Sequence, residues 1–179
     1  MPNYNYKTGL AGIRAFAFDV DGVLTDGSLL STPDGELLRV FNSKDGLAIR
    51  MCRMHGYPVA IITGGASDSI LQRCAGMGIP DEDIYMASRD KLPVFDSFCR
   101  KYGLDRKEVA YCGDDIPDIP VLRSCGIAAV PADAAQEAKE ASDYISSYPG
   151  GKGCVRDLVE QVLKIQGKWY IDYEKYRKL

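Results

Sequence analysis

Short apolar runs alternate along this chain with longer stretches of helical spacing, and this alternation restricts its fold more than any other feature. Three clear strand candidates are residues 13–18, 59–62 and 109–112, and shorter ones are residues 84–86, 127–130 and 144–145. Apolar side chains recur at helical spacing from about Asp45, from Ser67, after Asp90 and from Cys154 to Gln166. Because strands that alternate with helices are typical of a parallel sheet, we predict an α/β fold with helices flanking that sheet.

The size and charge of the chain narrow its function further. With 179 residues and 46% hydrophobic residues, residues 1–179 are expected to form one domain. The 22 basic against 25 acidic residues argue against nucleic acid as a partner. No apolar run approaches the ~18 residues of a membrane span, and the first twelve residues lack the apolar stretch of a signal peptide. We therefore expect a cytoplasmic protein without a membrane partner.

The cysteines and the single histidine offer little chemistry of their own. The six cysteines include no CxxC pair and several lie among apolar residues, so we expect buried, reduced thiols. His55 stands in a sequence typical of a helix end and turn, and we expect it at the surface.

One segment breaks the alternation of strands and helices. Residues 28–41 contain two short apolar runs around Pro33-Asp34-Gly35, which predicts an inserted β-hairpin. A lone two-stranded hairpin is marginally stable, so we expect it to pack against the body of the domain or against another subunit. The segment Gly167–Leu179, rich in Lys and Tyr, is expected to be a frayed or extended tail that contacts a neighbour.

Carboxylates follow two of the predicted strands, where an open parallel sheet binds its ligands. Asp19 and Asp21 follow the first strand, Thr63 follows the second, and the sequence Gly-Asp-Asp-Ile-Pro-Asp at 113–118 follows the third. Carboxylates that converge repel one another unless a cation joins them, and hard oxygen ligands suit Mg²⁺.

Such a site suits phosphoryl transfer. A carboxylate on Mg²⁺ can attack phosphorus, and a second carboxylate, Asp21, can protonate the leaving oxygen and later deprotonate the attacking water. Thr63 and Lys91 would stabilise the transferring oxygens. Taken singly, each residue also has a plain structural interpretation: an acidic turn, a surface lysine, or, for Asp45, a helix N-cap.

The four motifs, in this order, resemble those of the haloacid dehalogenase (HAD) phosphatases: residues 19–25, residues 62–64, Lys91 and residues 113–118. The resemblance implies a Rossmann-like HAD fold with Asp19 as nucleophile and Asp21 as general acid and base. It also implies that Mg²⁺ is held by the Asp19 side chain, the Asp21 main-chain carbonyl and Asp114. Asp115 and Asp118 would support these ligands, and Asp118 would also hold Lys91.

The chain leaves no room for a large cap domain, and with its hairpin it resembles the capless 3-deoxy-D-manno-octulosonate 8-phosphate (KDO 8-phosphate) phosphatases. That resemblance implies a phosphorylated 2-keto-3-deoxy sugar acid as substrate and a homotetramer that assembles through the hairpins, with active sites at subunit interfaces. Gly150, Gly151 and Lys152 would close over a neighbour's active site. The implied substrate-binding residues are Asn42, Ser43, Lys44, Asp45, Gly46, Arg50, Thr63, Gly64, Gly65, Arg73 and Lys91.

Two glycines bear on the choice of substrate. Many members of the family carry a basic residue at the position of Gly65, and a related phosphatase that acts on 2-keto-3-deoxy-nononate 9-phosphate (KDN 9-phosphate) carries glutamate there and lysine at the position of Gly76. We therefore expect a Mg²⁺-dependent phosphatase of KDO 8-phosphate that works through an aspartyl phosphate in lipopolysaccharide synthesis. The alternatives are a phosphatase of KDN 9-phosphate or sialic acid 9-phosphate, and a catalytically silent oligomerisation module. A phosphomutase or a general phosphatase would normally need a cap.

Overall fold

The computed structural model describes residues 6–178, which form an α/β domain. Its strands are β1 (Ala15–Phe18), β2 (Leu30–Ser31), β3 (Leu37–Leu38), β4 (Val59–Ile62), β5 (Ile84–Tyr85), β6 (Val109–Cys112), β7 (Ile127–Val130) and β8 (Tyr144–Ile145). Its helices are α1 (Tyr6–Gly9), α2 (Ser43–Met54), α3 (Asp68–Ala75), α4 (Lys91–Tyr102), α5 (Ile119–Leu122), α6 (Gln136–Glu140), α7 (Cys154–Ile165) and α8 (Tyr173–Tyr176). The α/β prediction is therefore confirmed.

The main sheet is parallel throughout and has the order β5-β4-β1-β6-β7-β8. Strand β1 lies in the middle, between β4 and β6, so the turns that follow these three strands meet at one edge of the sheet. This is the edge where an open parallel sheet binds ligands. The topology thus brings together three of the four predicted motifs.

Helices cover both faces of the sheet because its strands are apolar on both sides. Phe16 and Phe18 of β1 pack in one core with residues of α2, α3 and α7. Ala15 and Ala17, which point the other way, pack in a second core with residues of α4, α5 and α6. These two cores hold the central strands rigidly, and the site is built on the ends of those strands.

The hairpin predicted around Pro33 is present, and its strands β2 and β3 pair in an antiparallel manner. Its apolar side chains are not covered by the rest of the described chain: Leu30 is 66% exposed and Val40 is 78% exposed. Within residues 6–178 this hairpin is the only insertion between β1 and α2, and no cap domain is inserted there.

The tail differs from the expectation of a frayed or extended segment, as far as its residues up to 178 are described. It folds back on its own chain, and α8 packs against α2. The Arg50 guanidinium lies 5.3 Å from the ring centre of Tyr176, and that of Arg156 lies 5.3 Å from the ring centre of Trp169. Aromatic side chains that stack on arginines hold this segment in place. Leu179 and the first five residues lie outside the described part.

The remaining expectations concern single residues. All six cysteines are buried and free of disulfides in the described structure. His55 is partly exposed, with its Nε2 3.0 Å from the carbonyl oxygen of Tyr170. Among residues 6–178, none of the helices has the length and the apolar character needed to span a bilayer.

Candidate active site

A pocket of about 360 Å³ opens at the carboxyl edge of the sheet, above β1, β4 and β6. Nine of the predicted site residues meet there. The lining residues are Asp19, Asp21, Thr63, Gly64, Gly65, Ser88, Arg89, Lys91, Asp114, Asp115, Pro117 and Asp118. Ser88, Arg89 and Pro117 were not predicted, although Ser88 and Arg89 stand just before Lys91 in the sequence.

Lys91 is the central cation of this pocket. Its Nζ lies 2.7 Å from Asp19 Oδ2 and 2.6 Å from Asp118 Oδ1, and its side chain is 4% exposed. Burial alone would lower the pKa of Lys91, but the two carboxylates more than offset this, so its pKa is raised. Lys91 is therefore a permanently charged group between two carboxylates and not a surface lysine.

Asp118 holds the loop of the fourth motif, residues 113–118, in shape. One of its oxygens receives Lys91 and the hydroxyl of Tyr111. The other accepts the backbone N–H groups of Asp114 (3.0 Å) and Asp115 (3.2 Å). Both oxygens of Asp118 are thus used within the protein, and Asp114 keeps its own carboxylate free to bind a ligand.

The carboxylates of Asp19, Asp114 and Asp118 together carry more negative charge than Lys91 neutralises. Oxygen atoms of Asp19, Asp114 and Asp118 lie within 4.8 Å of one another. Burial, and then Asp118, raise the pKa of Asp19 to about 6. Burial, and then Asp19 and Asp118, raise the pKa of Asp114 to about 8. A hard divalent cation would relieve this repulsion, and the all-oxygen donor set fits Mg²⁺.

Gly22 lets the loop that follows β1 approach the loop that follows β6. Gly22 has a φ of +88°, and a Cβ atom there would overlap the Oδ2 atom of Asp114. Asp19 is fixed as well, because its Oδ1 accepts the backbone N–H of Val20 at 2.6 Å while its Oδ2 receives Lys91. The Thr63 hydroxyl, buried at the end of β4, accepts the N–H of Gly65 at 3.1 Å.

Arg39 is a site residue that sequence reasoning missed. It follows β3 of the hairpin, and its Nε and Nη2 donate to Asp21 Oδ1 and Oδ2 at 2.7 and 3.0 Å. No motif marks it, because its contact with Asp21 depends on how the hairpin returns the chain to the loop that follows β1.

Several predicted substrate-binding residues lie outside this pocket. Asn42 caps α2 by accepting the N–H of Lys44, and Asp45 accepts the N–H groups of Gly153 and Arg156 at the start of α7. Both side chains therefore have structural partners within the chain. Their role in binding substrate stays a prediction.

A second, smaller cavity of about 150 Å³ contains others of the predicted set. It is lined by Ser43, Gly46, Leu47, Arg50, Arg73, Gly76, Met77 and Tyr176. The buried Nε atoms of Arg50 and Arg73 have no hydrogen-bond partner. Lys44 lines a third pocket together with Lys152 and Arg156.

The glycine segment at 150–152 has contacts within its own chain. Gly150 and Gly151 are buried against their own subunit: a Cβ atom at Gly150 would overlap the carbonyl oxygen of Gly22, and the N–H of Gly151 donates to Val23 at 2.9 Å. These two glycines support the loop that follows β1 of their own chain, and their closing over a neighbour's active site stays a prediction. Lys152 is 59% exposed and lies 3.6 Å from Asp26.

Comparison with known proteins agrees with this geometry. A sequence model of the haloacid dehalogenase-like hydrolases matches residues 80–155. The fold and the site together define a phosphomonoester hydrolase of the HAD class.

The chain is 37% identical to the KDO 8-phosphate phosphatase of Salmonella typhi over 161 residues, which cover 90% of this chain and 85% of that protein. The Escherichia coli K12 phosphatase is 38% identical over 156 residues, covering 87% and 82%. The chain belongs to the KDO 8-phosphate phosphatase family.

Solved structures show the same likeness. The KDO 8-phosphate phosphatase of Moraxella catarrhalis, in complex with magnesium, phosphate and KDO, has a TM-score of 0.87 at 32% identity and covers 92% of this chain and 93% of its own. The Yersinia pestis phosphatase has a TM-score of 0.88 at 33% identity, covering 91% and 87%.

Proposed function

We propose that this protein is a Mg²⁺-dependent phosphatase that hydrolyses KDO 8-phosphate to KDO and phosphate through an aspartyl phosphate on Asp19. One observation carries the proposal. Lys91 lies between Asp19 and Asp118 in an open pocket, and the nearby Asp114 carboxylate forms no ion pair with a described residue. Bound Mg²⁺ would screen the negative charge of the nucleophile and of the phosphoryl group.

Each step then has a residue of the chain to perform it. An oxygen of Asp19 forms a bond to phosphorus while the bond from phosphorus to the sugar oxygen breaks, and Asp21 gives that oxygen a proton. Asp21 next takes a proton from a water molecule that attacks phosphorus, which releases phosphate and restores Asp19. Lys91 and the Thr63 hydroxyl stabilise the phosphoryl oxygens in both steps.

The choice of substrate rests on the family and on two residues. The chain is similar over most of its length to KDO 8-phosphate phosphatases, and one of the similar solved structures contains KDO. Gly65 and Gly76 also stand where a KDN 9-phosphate enzyme is expected to have glutamate and lysine, respectively. Arg50 and Arg73 are the arginines that we propose for substrate, since a planar guanidinium binds a carboxylate through two hydrogen bonds. On this basis we place the enzyme in lipopolysaccharide synthesis.

We further propose that four copies assemble through their hairpins. The support is the exposed apolar surface of the hairpin, on which Leu29 is 46%, Leu30 66% and Val40 78% exposed. Active sites would then lie at subunit interfaces. A cytoplasmic location stays a prediction.

The first experiment measures phosphate release from KDO 8-phosphate and KDN 9-phosphate, with Mg²⁺ and with EDTA. We expect KDO 8-phosphate to be preferred and turnover to disappear in EDTA. Asp19→Asn should abolish turnover of both, whereas Asp96→Asn, which changes an aspartate on α4 outside the pocket, should not. A preference for KDN 9-phosphate would keep the mechanism and overturn the substrate; substantial activity in Asp19→Asn would exclude this nucleophile.

Assembly is tested by removing the hairpin tip, residues 33–35. Sedimentation of the wild-type protein should give a tetramer, and the shortened protein should dissociate and show a higher KM. A wild-type monomer, or a shortened tetramer with unchanged kinetics, would contradict assembly through the hairpins.

A further inference from the structure

Arg39 forms an ion pair with Asp21 at the edge of the active site, and all three of its guanidinium nitrogens donate hydrogen bonds. Its side chain is 1% exposed, and its guanidinium fork holds both oxygens of Asp21, at 2.7 and 3.0 Å. The third nitrogen, Nη1, donates to the Leu37 carbonyl at 2.8 Å and lies 3.3 Å from the Ser67 hydroxyl. A guanidinium anchored on two sides fixes a carboxylate in position and in rotation.

Gly65 leaves the space in which this pair lies. A Cβ atom at Gly65 would lie 2.9 Å from Arg39 Nη2 and 3.2 Å from Asp21 Oδ2. Any side chain at this position would therefore push against both halves of the ion pair. The missing side chain at Gly65 and the buried fork of Arg39 are parts of one arrangement.

Asp21 has capacity left for chemistry while it is held in this way. Its side chain is 29% exposed and lines the pocket. Each carboxylate oxygen can accept two hydrogen bonds, and the fork occupies one on each oxygen. The remaining lone pairs are thus available to a group in the pocket.

We propose that Arg39 is a positioning residue that holds Asp21 toward the leaving oxygen of the substrate, and that Gly65 is needed to make room for it. This inference rests on the proposed role of Asp21 as general acid. Without the fork, the carboxylate of Asp21 would rotate freely at the mouth of the pocket. A misplacement of about 1 Å can cost a reaction roughly 100-fold in rate.

A merely structural role for Arg39, as an anchor of the hairpin, predicts a different result. Damage to the pocket as a whole would slow all substrates alike. Loss of an oriented general acid slows only substrates whose leaving group needs a proton, such as a sugar alcohol. Nitrophenolate leaves without one. The quantity to compare is kcat/KM, which reports only the steps up to departure of the alcohol.

The experiment measures kcat/KM for KDO 8-phosphate and for p-nitrophenyl phosphate in the Mg²⁺-loaded enzyme. For Arg39→Ala and for Gly65→Ala we expect a loss of about 30- to 100-fold on the sugar phosphate and of less than about 3-fold on the aryl phosphate. Asp21→Asn should show the same selectivity, and adding Arg39→Ala to it should cause no further loss. Arg39→Lys, which keeps the positive charge without the guanidinium fork, should recover little of the kcat/KM that Arg39→Ala loses on the sugar phosphate.

Arg106→Ala is the matched control. Arg106 holds Asp96 with the same fork, at 2.7 Å on each oxygen, but outside the pocket. Its removal should leave both kcat/KM values unchanged.

Two results would overturn the inference. One is an equal loss on both substrates in Arg39→Ala, and the other is full activity in Arg39→Lys. If the wild-type enzyme does not hydrolyse KDO 8-phosphate, the proposed substrate fails on its own, and a simple primary alkyl phosphate then replaces it in the same comparison. If Asp21→Asn is selective while Arg39→Ala loses activity equally on both substrates, the role of Arg39 is overturned and that of Asp21 as general acid is kept.

Discussion

In two clusters of the described chain a buried aspartate accepts hydrogen bonds from a lysine and a tyrosine, and one of these clusters lies in the active site. In the first, Asp118 accepts hydrogen bonds from Lys91 and Tyr111. In the second, Asp83, fully buried, accepts them from Lys101 at 2.7 Å and from Tyr102 at 2.5 Å. An aspartate, a lysine and a tyrosine are therefore not enough to mark a site of chemistry.

The two clusters differ in the charge that surrounds them. The Nζ of Lys101 has one additional carboxylate, the exposed Glu82 at 3.8 Å, and the Lys101 side chain itself is 35% exposed to water. Lys91 is 4% exposed and also touches Asp19, with the unpaired Asp114 close by. A buried excess of negative charge, and not a buried ion pair, is what separates the site that takes a metal from the cluster that stabilises the fold.

The largest expected effect comes from removing each lysine in turn. Lys91→Met should lower kcat by at least about 100-fold, since the phosphoryl oxygens lose a buried cation. Lys101→Met should leave kcat unchanged and lower the free energy of unfolding by about 1 kcal/mol, as expected for a pair that water partly reaches. Steady-state kinetics and urea denaturation of the two variants test this; a loss of kcat in Lys101→Met would mean that the clusters are coupled.

The aspartates give the next comparison. Asp83→Asn should lower the free energy of unfolding by about 1–3 kcal/mol, because the partly buried hydroxyl of Tyr102 loses a charged acceptor, and should leave kcat unchanged. Asp118→Asn should lower both the free energy of unfolding and kcat, because Asp118 also holds the loop that carries Asp114. Equal kcat values in these two variants would contradict the distinction drawn between the clusters.

The smallest effect is a dependence of stability on pH and metal. In the metal-free folded protein the pKa of Asp19 is about 6 and that of Asp114 about 8, both above the usual 3.8. Their contribution to stability is therefore fullest below pH 4 and is lost as the pH rises through 6 and 8. Mg²⁺ should thus raise Tm more at pH 8 than at pH 6, by a few degrees. In Asp114→Asn this difference should disappear, and an equal rise at both pH values would argue against the charge excess.

Much of the fold and the centre of the site could be predicted from the sequence because both depend on local patterns. Apolar runs such as Val59–Ile62 and Val109–Cys112 formed the central strands, and residues at their ends met because parallel strands end at one edge. Asp19 and Thr63 each follow a strand and Lys91 is the first residue of α4, so their positions are fixed by these elements.

The rest depends on contacts between distant parts of the chain that leave no local pattern. Arg39 reaches Asp21 only because the hairpin between them returns the chain to the loop that follows β1. Asp45 could be predicted as a helix cap, but it caps α7 and not its own helix. The tail was expected to be frayed, and stacking of Tyr176 on Arg50 cannot be inferred from either segment alone.

The packing of Gly150 and Gly151 on the loop that follows β1 links an early part of the described chain to a late one. During synthesis the ribosome releases the segment with Asp19 long before the glycines that complete its packing. Contacts between residues so far apart in sequence form late, because a long loop must close first. The loop that follows Asp19 therefore gains this packing only after residue 151 has emerged, and shorter nascent chains carry the motif without that support.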